Sequence, residues 1–558
     1  MKKKKRSTFL MISLLIIAST LAACSNTGGN QGTASPSGSP AATEGAAGED
    51  TGSSESANDP LGKYDPPITI TSVRDVGASV KFMAGESIDN NDWTREIEEV
   101  LGVTLKNEWS TTSMDQYNQK LNVTIASNML PDLFMVNATQ LKMLADGDQV
   151  EDLTEVYKAY ASPEVRELLD PYLQSATFDG KLLALPNVSS ALAGTSNVIW
   201  VRTDWLNNLG LPEPKTMNDL LNISQAFTTQ DPDQNNQDDT FGIAAEKGLF
   251  GYPSLAGFFN GFHAYPNSWI KNEAGELEFG GIQPEVKEAL AVLQELYKTG
   301  QIDREFGVKD TTKVNESVTS NKVGIWIGPT WAPFFPLQDL KNNSPESEWK
   351  AFPILSVDDQ PAKAQMPNPI NNFYTMKKGT AHPEVVVKLM NLYVDRSFIN
   401  TDFSRFGAHD GVEPWHYPLV QTLNPDTDIV YAVNVEKALA NNNPESLVPT
   451  EKEIFNKIVA YQEGDNAFWA DKKVNDARVI INEQWVNGLI EMDQFAGAPT
   501  ETMGAKTAAL DKLISEAYTS IIMGGNLNEF DAFVTNWNNL GGRDITAEVN
   551  EWYKNSQK

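Results

Sequence analysis

A single cysteine, Cys24, stands among 558 residues. No internal disulfide can form, so that thiol needs another explanation. Histidine is almost as scarce. There are four, His263, His382, His409 and His416; only the last two are neighbours, and nothing nearby completes a zinc site. The HExxH, GxSxG and P-loop signatures are missing, as is a Cys nucleophile with its partners. Basic side chains number 44 against 74 acidic ones, for a formal charge of −30. That argues against nucleic-acid partners and against electrostatic docking on anionic lipid, both of which need basic faces. Beyond the first two dozen residues no apolar run approaches membrane-spanning length. No period of 20–50 residues marks a solenoid or propeller.

What is present begins with an address. MKKKKRST is a basic n-region, and FLMISLLIIASTLAA is an apolar run too short and wrongly flanked for a stable span. Residues 1–23 therefore read as a secretory signal peptide. Removing their five basic residues takes the formal charge from −30 to −35. The junction Leu21-Ala22-Ala23-Cys24 resembles the bacterial lipobox, which implies thioether lipidation of Cys24 and cleavage just before it. Two or more acyl chains anchor stably where one is marginal, since each buried methylene contributes about 0.8 kcal/mol. Residues 24–65 follow as a disordered tether. Most of it is Gly, Ser, Ala, Thr and Pro, which cannot bury enough surface to offset ordering entropy.

The body from Pro66 on, about 500 residues, has room for two or three packed domains. ITITSV (68–73) predicts a strand, WTREIEEVLG (93–102) an amphipathic helix closed by Gly102, and VTLKNEWS (103–110) a second strand. MDQYNQKLNVTIASN (114–128) returns to helical spacing, and DLFMV (132–136) is a short apolar strand. Strand and helix in alternation predict an α/β protein with a largely parallel sheet. Ligands in such sheets bind beyond the carboxyl ends of strands, which makes Asn137 a candidate.

Further stretches carry a family resemblance. They are KLNVTIASNMLPDLF (120–134), DGKLLALPN (179–187), VRTDWLNNLGLPEPKTMNDL (201–220), LYKTGQIDREF (296–306), NKVGIWIGPTW (321–331), HPEVVVKLMNLY (382–393) and NLGGRDITAEVNEW (539–552). In that order behind a lipobox, they resemble the extracellular solute-binding lipoproteins of bacterial ABC sugar importers, in the oligosaccharide- and aldouronate-binding branch of the maltodextrin-binding-like proteins. The resemblance implies a two-lobed, periplasmic-binding-protein-like fold, each lobe a central β-sheet flanked by helices, joined by crossover hinge segments. Residues 66–186 plus about 370–424 would form one lobe, and 188–368 plus about 425–520 the other. Residues 521–558 would be a C-terminal helical tail packing back across. It also implies a monomeric receptor, not an enzyme, on the extracellular face of the cytoplasmic membrane. The receptor would serve two permease subunits driven by a cytoplasmic ATPase. A lipid-anchored glycan hydrolase would share the aromatic content and the compartment. It needs two carboxylates across a sugar ring, and counting acidic residues cannot exclude them. A surface adhesin would need no cleft.

Sugars offer apolar C–H faces for aromatic rings and hydroxyls for Asn, Asp, Glu and Arg. Trp331 in GPTW resembles the corner that places a stacking Trp in maltodextrin binders, and Phe334 could add a second platform. Trp326, on the same strand, reads as core, and so does Trp205. Trp415 and Tyr417, in the aromatic loop HDGVEPWHY, are further candidates, as are Glu86, Asn91 and Trp93 in GESIDNNDW. The alternative for each is a helix cap or a satisfied loop residue. Trp200 faces either core or cleft. A carboxylated sugar would call for an arginine, with Arg202 and Arg405 as candidates; both could equally be surface ion pairs.

Residues 231–242 read DPDQNNQDDTFG. Asp231, Asp233, Asn235, Gln237 and Asp239 fall at positions 1, 3, 5, 7 and 9 of an EF-hand-like loop, hard-oxygen spacing that suits Ca²⁺. Relatives with a D-P-D-x-N-x-x-x-D-T loop hold structural calcium remote from the sugar, which the resemblance carries over here. Position 6 is Asn236 where an EF-hand has Gly. Position 12 is Gly242 where it has a bidentate Glu, leaving a further ligand to Asp238 or Thr240. The alternative is an Asx-rich solvated turn.

Overall fold

The computed structural model describes residues 59–556 apart from Ser79 and 408–410. The signal peptide, Cys24 and the tether up to residue 58 lie outside the described residues. Nine strands build two principal sheets: β1 Ile68–Asp75, β2 Val103–Thr111, β3 Leu133–Val136, β4 Leu185–Val188, β5 Asn197–Arg202, β6 Phe241–Ile243, β7 Val323–Pro329, β8 Trp349–Phe352 and β9 Ile370–Met376. The first sheet runs β2-β1-β3-β9-β4 and the second β8-β5-β7-β6. Each has its own core. One draws on residues 70–188 and 373–420, the other on 191–366 and 429–549. The chain is therefore two α/β lobes, each interrupted by the other.

The sheets are mixed rather than largely parallel, and the connectivity explains why. β1 pairs parallel with β2 and β3, but β9 runs antiparallel to β3 and β4. β9 enters from the second lobe at the edge where β3 and β4 end, so it must run the opposite way. The same holds across the crossing: β5 starts at that edge and is antiparallel to β7 and β8, while β6 is parallel to β7. The crossing edge therefore collects the carboxyl ends of β1 to β4 and of β6 to β8. Three crossing segments are laced together there. Ser189 N–H donates to Pro369 O at 2.9 Å, Leu423 N–H to Val188 O at 2.8 Å and Leu192 N–H to Pro425 O at 3.1 Å.

Local signals account for the elements. Helix α1 (Asp92–Leu101) is opened by an Asn91 capping box and closed by Gly102 at φ 67°. A side chain at Gly102 would also meet Tyr64 O at 2.6 Å. Helices α2 (Met114–Ala126) and α3 (Ala138–Asp146) complete the first β-α alternation. The central strands β5 and β7 are buried along their whole length, as strands covered on both faces must be.

Two expected boundaries shift. Residues 59–65, expected in the tether, are packed: Leu61 and Tyr64 lie against the first core, and Lys388 and Asn391 donate to Gly62 O and Pro60 O at 2.7 and 2.9 Å. The C-terminal helices, expected as a separate tail packing back across, are part of the second lobe itself. Ile521, Phe530, Phe533, Trp537, Ile545 and Val549 belong to the second core, because their apolar faces complete a surface the second sheet cannot cover alone. Among the described residues no helix is long and apolar enough to cross a membrane.

Candidate ligand-binding site

At the crossing edge of the first lobe lies a pocket of 330 Å³, lined by Arg74 and Asp75 from the end of β1, Asn187 from β4, Tyr374 from β9, and His416 and Gln421 from the returning loop. Arg74 organises it. Arg74 is 8% exposed, and its guanidinium donates to three successive carbonyls, those of Tyr417 at 2.8 Å, Pro418 at 3.1 Å and His416 at 3.4 Å. It pins the aromatic loop to the sheet without a carboxylate partner, and burial pushes its pKa down to about 10. The Tyr374 hydroxyl accepts from Asn187 Nδ2 at 2.9 Å and from Gln421 N–H at 3.2 Å, which joins two crossing segments to the pocket floor. Burial raises the Tyr374 pKa, so the phenol stays protonated.

The same edge of the second lobe is aromatic. Trp331 follows the carboxyl end of β7 and is 36% exposed. One face stacks on Tyr252 at 4.6 Å and 19°, and its indole N–H donates to Gly194 O at 3.0 Å. Tyr252 packs edge-on against Trp326 at 5.0 Å, and Trp326 is fully buried. The indole is thus fixed in plane and direction by a ladder rooted in the core. Phe334 and Phe335 stand beside it, half exposed. A second pocket of 600 Å³ adjoins through Gly251, lined by Glu246, Phe250, Asn267, Phe279 and Asp511.

Most other candidates are employed elsewhere. Trp200 is fully buried and donates to Pro329 O at 3.3 Å, because its strand is covered on both sides. Arg202, 2% exposed, is held by both oxygens of Asp204 at 2.8 and 2.6 Å and by Asn321 at 2.6 Å. Arg405 pairs with Glu96 at 2.7 Å. Asn91 is buried as the cap of α1, accepting from Trp93 and Thr94 N–H at 3.0 and 3.2 Å. Trp93 is 3% exposed and packs on Phe406 at 4.5 Å. Glu86 is tied to Arg95 at 2.5 Å. Asn137 caps α3, reciprocally bonded with Gln140. Tyr417 is buried against Phe82 at 4.9 Å with its hydroxyl on Lys81 O at 2.5 Å. Caps, ion pairs, tight packing and covered strands engage these eight side chains within the fold. Trp415 differs: it is half exposed and lies against the His416 imidazole. Arg74, Asp75, Asn187, Tyr374 and Tyr252 were missed. The carboxyl-end rule applied to β1 would have found Arg74 and Asp75, since they are its last two residues.

The Asp-rich loop folds around its own side chains. The Asp231 carboxylate accepts from the N–H groups of Asn235 and Asn236, both at 3.0 Å, and Asn236 takes φ 61°. Asn235 Nδ2 lies between Asp233 and Asp239, donating at 2.9 and 3.3 Å. Among the described residues no three carboxylate, imidazole or thiol groups form a metal-holding cluster, and an amide occupies the centre of this loop. One observation favours a cation nonetheless: Asp233 Oδ1 is buried without any donor. Burial and its acidic neighbours raise the Asp233 pKa, the condition a bound cation would relieve. Gly242 cannot be the missing Glu, since a Cβ there would fall 2.0 Å from Ser224 Oγ. The Thr240 hydroxyl donates to Phe227 O at 2.8 Å, which leaves Asp238 as the free oxygen donor of the two.

The comparisons with known proteins agree with this architecture. The family model described as bacterial extracellular solute-binding protein matches residues 97–395, more than half of the chain. Lipoprotein LipO of Bacillus subtilis (strain 168) is 25% identical over 483 residues, covering 84% of this chain and 90% of its own length. The polygalacturonan/rhamnogalacturonan-binding protein YtcQ of the same organism is 22% identical over 484 residues, covering 83% and 88%. Among solved structures, the S. pneumoniae ABC-transporter substrate binding protein FusA in complex with kestose shares the fold with a TM-score of 0.61 at 16% identity, over 88% of this chain and 99% of that one. By fold and by family model, the chain belongs to the bacterial extracellular solute-binding proteins.

Proposed function

We propose that this chain is the substrate-binding subunit of an ABC transporter, a receptor that captures an oligosaccharide between its lobes and passes it to membrane permeases. The observation that carries this reading is the exposed Trp331 indole, braced by Tyr252 and Gly194 O, on the same crossing edge as the polar pocket around Asp75, Asn187 and His416. A pyranose or furanose ring needs an apolar platform and hydroxyl partners together. The ligands named for two relatives, rhamnogalacturonan or polygalacturonan for YtcQ and kestose for FusA, support a saccharide. Lobe closure about the laced crossings would join the two half-sites and present a new surface to the permease.

The chain acts as a receptor rather than a hydrolase, as a monomer anchored outside the cell through lipid on Cys24. Its partners are two permease subunits and their ATPase. Calcium would sit in the Asp231–Asp239 loop on oxygens of Asp231, Asp233, Asn235 and Asp239 with the Gln237 carbonyl, supplying charge compensation and stiffness only. The test is incubation with oligosaccharide mixtures. Saturable thermal stabilisation with intact sugar recovered is expected; release of cleaved product would overturn the receptor reading.

A further inference from the structure

We infer that the site selects a neutral oligosaccharide and rejects carboxylated ones. This deepens the receptor reading above and rests on it. The inference comes from where the chain spends its cations. Carboxylate recognition calls for a free guanidinium fork or an ammonium in the site. Neither pocket at the crossing edge is lined by lysine, and Arg74 is their only arginine. Its Nη groups are taken by three backbone carbonyls, and its Nε is shut off from solvent. It is a brace for the loop and offers no fork.

Among the other described arginines, all but Arg543 are committed as well. Arg95, Arg202, Arg396, Arg405 and Arg478 are in ion pairs. Arg166 and Arg304 donate to main-chain carbonyls, and Arg543 opens the last helix and lines neither pocket. His416, the other basic group in the first pocket, is held toward the neutral form by burial, against the pull of Glu413.

Anions, by contrast, are left over. Asp75 faces the first pocket, with Thr111 Oγ1 as donor at 3.2 Å. Glu246 faces the second, buried and held by the Thr311 hydroxyl at 2.7 Å and the Tyr252 N–H at 3.3 Å. Asp511 lines the same pocket. None of these carboxylates is held in an ion pair, although Asp75 feels the charge of the buried Arg74; they are suited to sugar hydroxyls, which donate to them, and they repel a uronate. The lysine-rich cavity of the first lobe, 430 Å³ with Lys142, Lys181 and Lys378, is no substitute. Lys142 and Lys378 are paired with Asp146 and Asp148. Lys378 also follows the end of β9, the strand that runs away from the crossings, so this cavity opens on the opposite edge.

The experiment uses the full chain and matched pairs of oligosaccharides, each uronate-containing member beside its carboxyl-reduced counterpart. Affinity is read by calorimetry at low and high salt. At least one neutral member should bind with salt-insensitive affinity, and its carboxylated partner at least about 100-fold more weakly, the scale of a like-charge contact in a desolvated site. A carboxylated member that binds as tightly as its reduced partner, with affinity falling as salt rises, overturns the inference and leaves the receptor standing. Binding by neither series, nor by a broad monosaccharide set, removes the receptor reading itself.

Discussion

The two lobes bring different chemistry to the edge they share. The first offers hydrogen-bonding groups gathered around Arg74 and Tyr374, the second an indole backed by Tyr252 and Trp326. The polar half-site is made of contacts that also hold the lobe together, since the same guanidinium fastens residues 416–418. The aromatic half-site is held from behind, and its working face does nothing for the fold. Damage should therefore show as lost stability in one lobe and as lost affinity in the other.

Arg74→Met is the sharpest way to break that contrast. It strands three carbonyls, each worth about 1 kcal/mol or more when buried without a donor, less the desolvation a buried guanidinium no longer incurs. A loss of about 2–4 kcal/mol in denaturant unfolding is expected. A change within about 0.5 kcal/mol would mean that something else holds the 412–421 loop. Trp331→Ala should do the reverse. With more than a third of its surface in solvent, the indole contributes little to folding, but sugar affinity should fall by about 1.5–3 kcal/mol, a loss of roughly 10- to 150-fold. Trp331→Phe should recover part of it. Equal stability losses in the two variants would erase the distinction between the lobes.

A third variant asks how the second lobe tolerates a buried charge. Asp493 accepts from the N–H groups of Trp269 and Phe495 through one oxygen, at 3.1 and 3.0 Å, which leaves the other for a proton. Burial raises its pKa from 3.8 to about 6. The folded state thus binds the proton more tightly than the unfolded state. The associated stability is present in full below pH 3.8 and is lost as pH rises through about 6. Asp493→Asn mimics the protonated form, so it should stabilise the chain at pH 8 by about 1–3 kcal/mol and change little near pH 4. A gain of equal size at both values would point to packing rather than titration.

How much of this was legible beforehand follows the same division. Strands and helices of the first 80 residues of the body were readable because their periodicity and caps are local: Gly102 closes α1 as its position suggested. The direction of β9 was not, since it depends on a chain that leaves for 180 residues and returns from the opposite side. The exposed place of Trp331 was legible because it follows an apolar strand in a short, stiff corner. Arg74 was legible only as one of the last two residues of β1, and the role of Tyr374 not at all, because the partners that gather them lie more than 40 residues away in sequence, on the returning loop. Trp200, Arg202 and Trp93 carry the same residue types as a sugar site. Only burial tells them apart, and burial is a property of the assembled sheet.

The smallest expected effect concerns the loop at 231–242, which also belongs to the second lobe but to its other edge. Asp233 accepts from Asn321 at 3.3 Å, and Asn321 in turn accepts from Arg202. Lys322 reaches Asp239 at 3.3 Å. The loop is therefore clamped to the residues just before β7, while the platform follows its far end, roughly 20 Å away along seven residues of strand. A cation bound there would satisfy the orphaned Asp233 oxygen and stiffen the start of β7 without touching the sugar. Millimolar calcium should raise the melting temperature over chelator-treated protein, by an increment that Asp233→Asn abolishes. Without calcium the same variant should be neutral or slightly stabilising, since it removes a carboxylate crowded by Asp231 and Asp239. Sugar affinity should stay the same within twofold in both states. An affinity that follows calcium would mean that β7 transmits strain from one edge of the lobe to the other, and the separation between clip and platform would have to be given up.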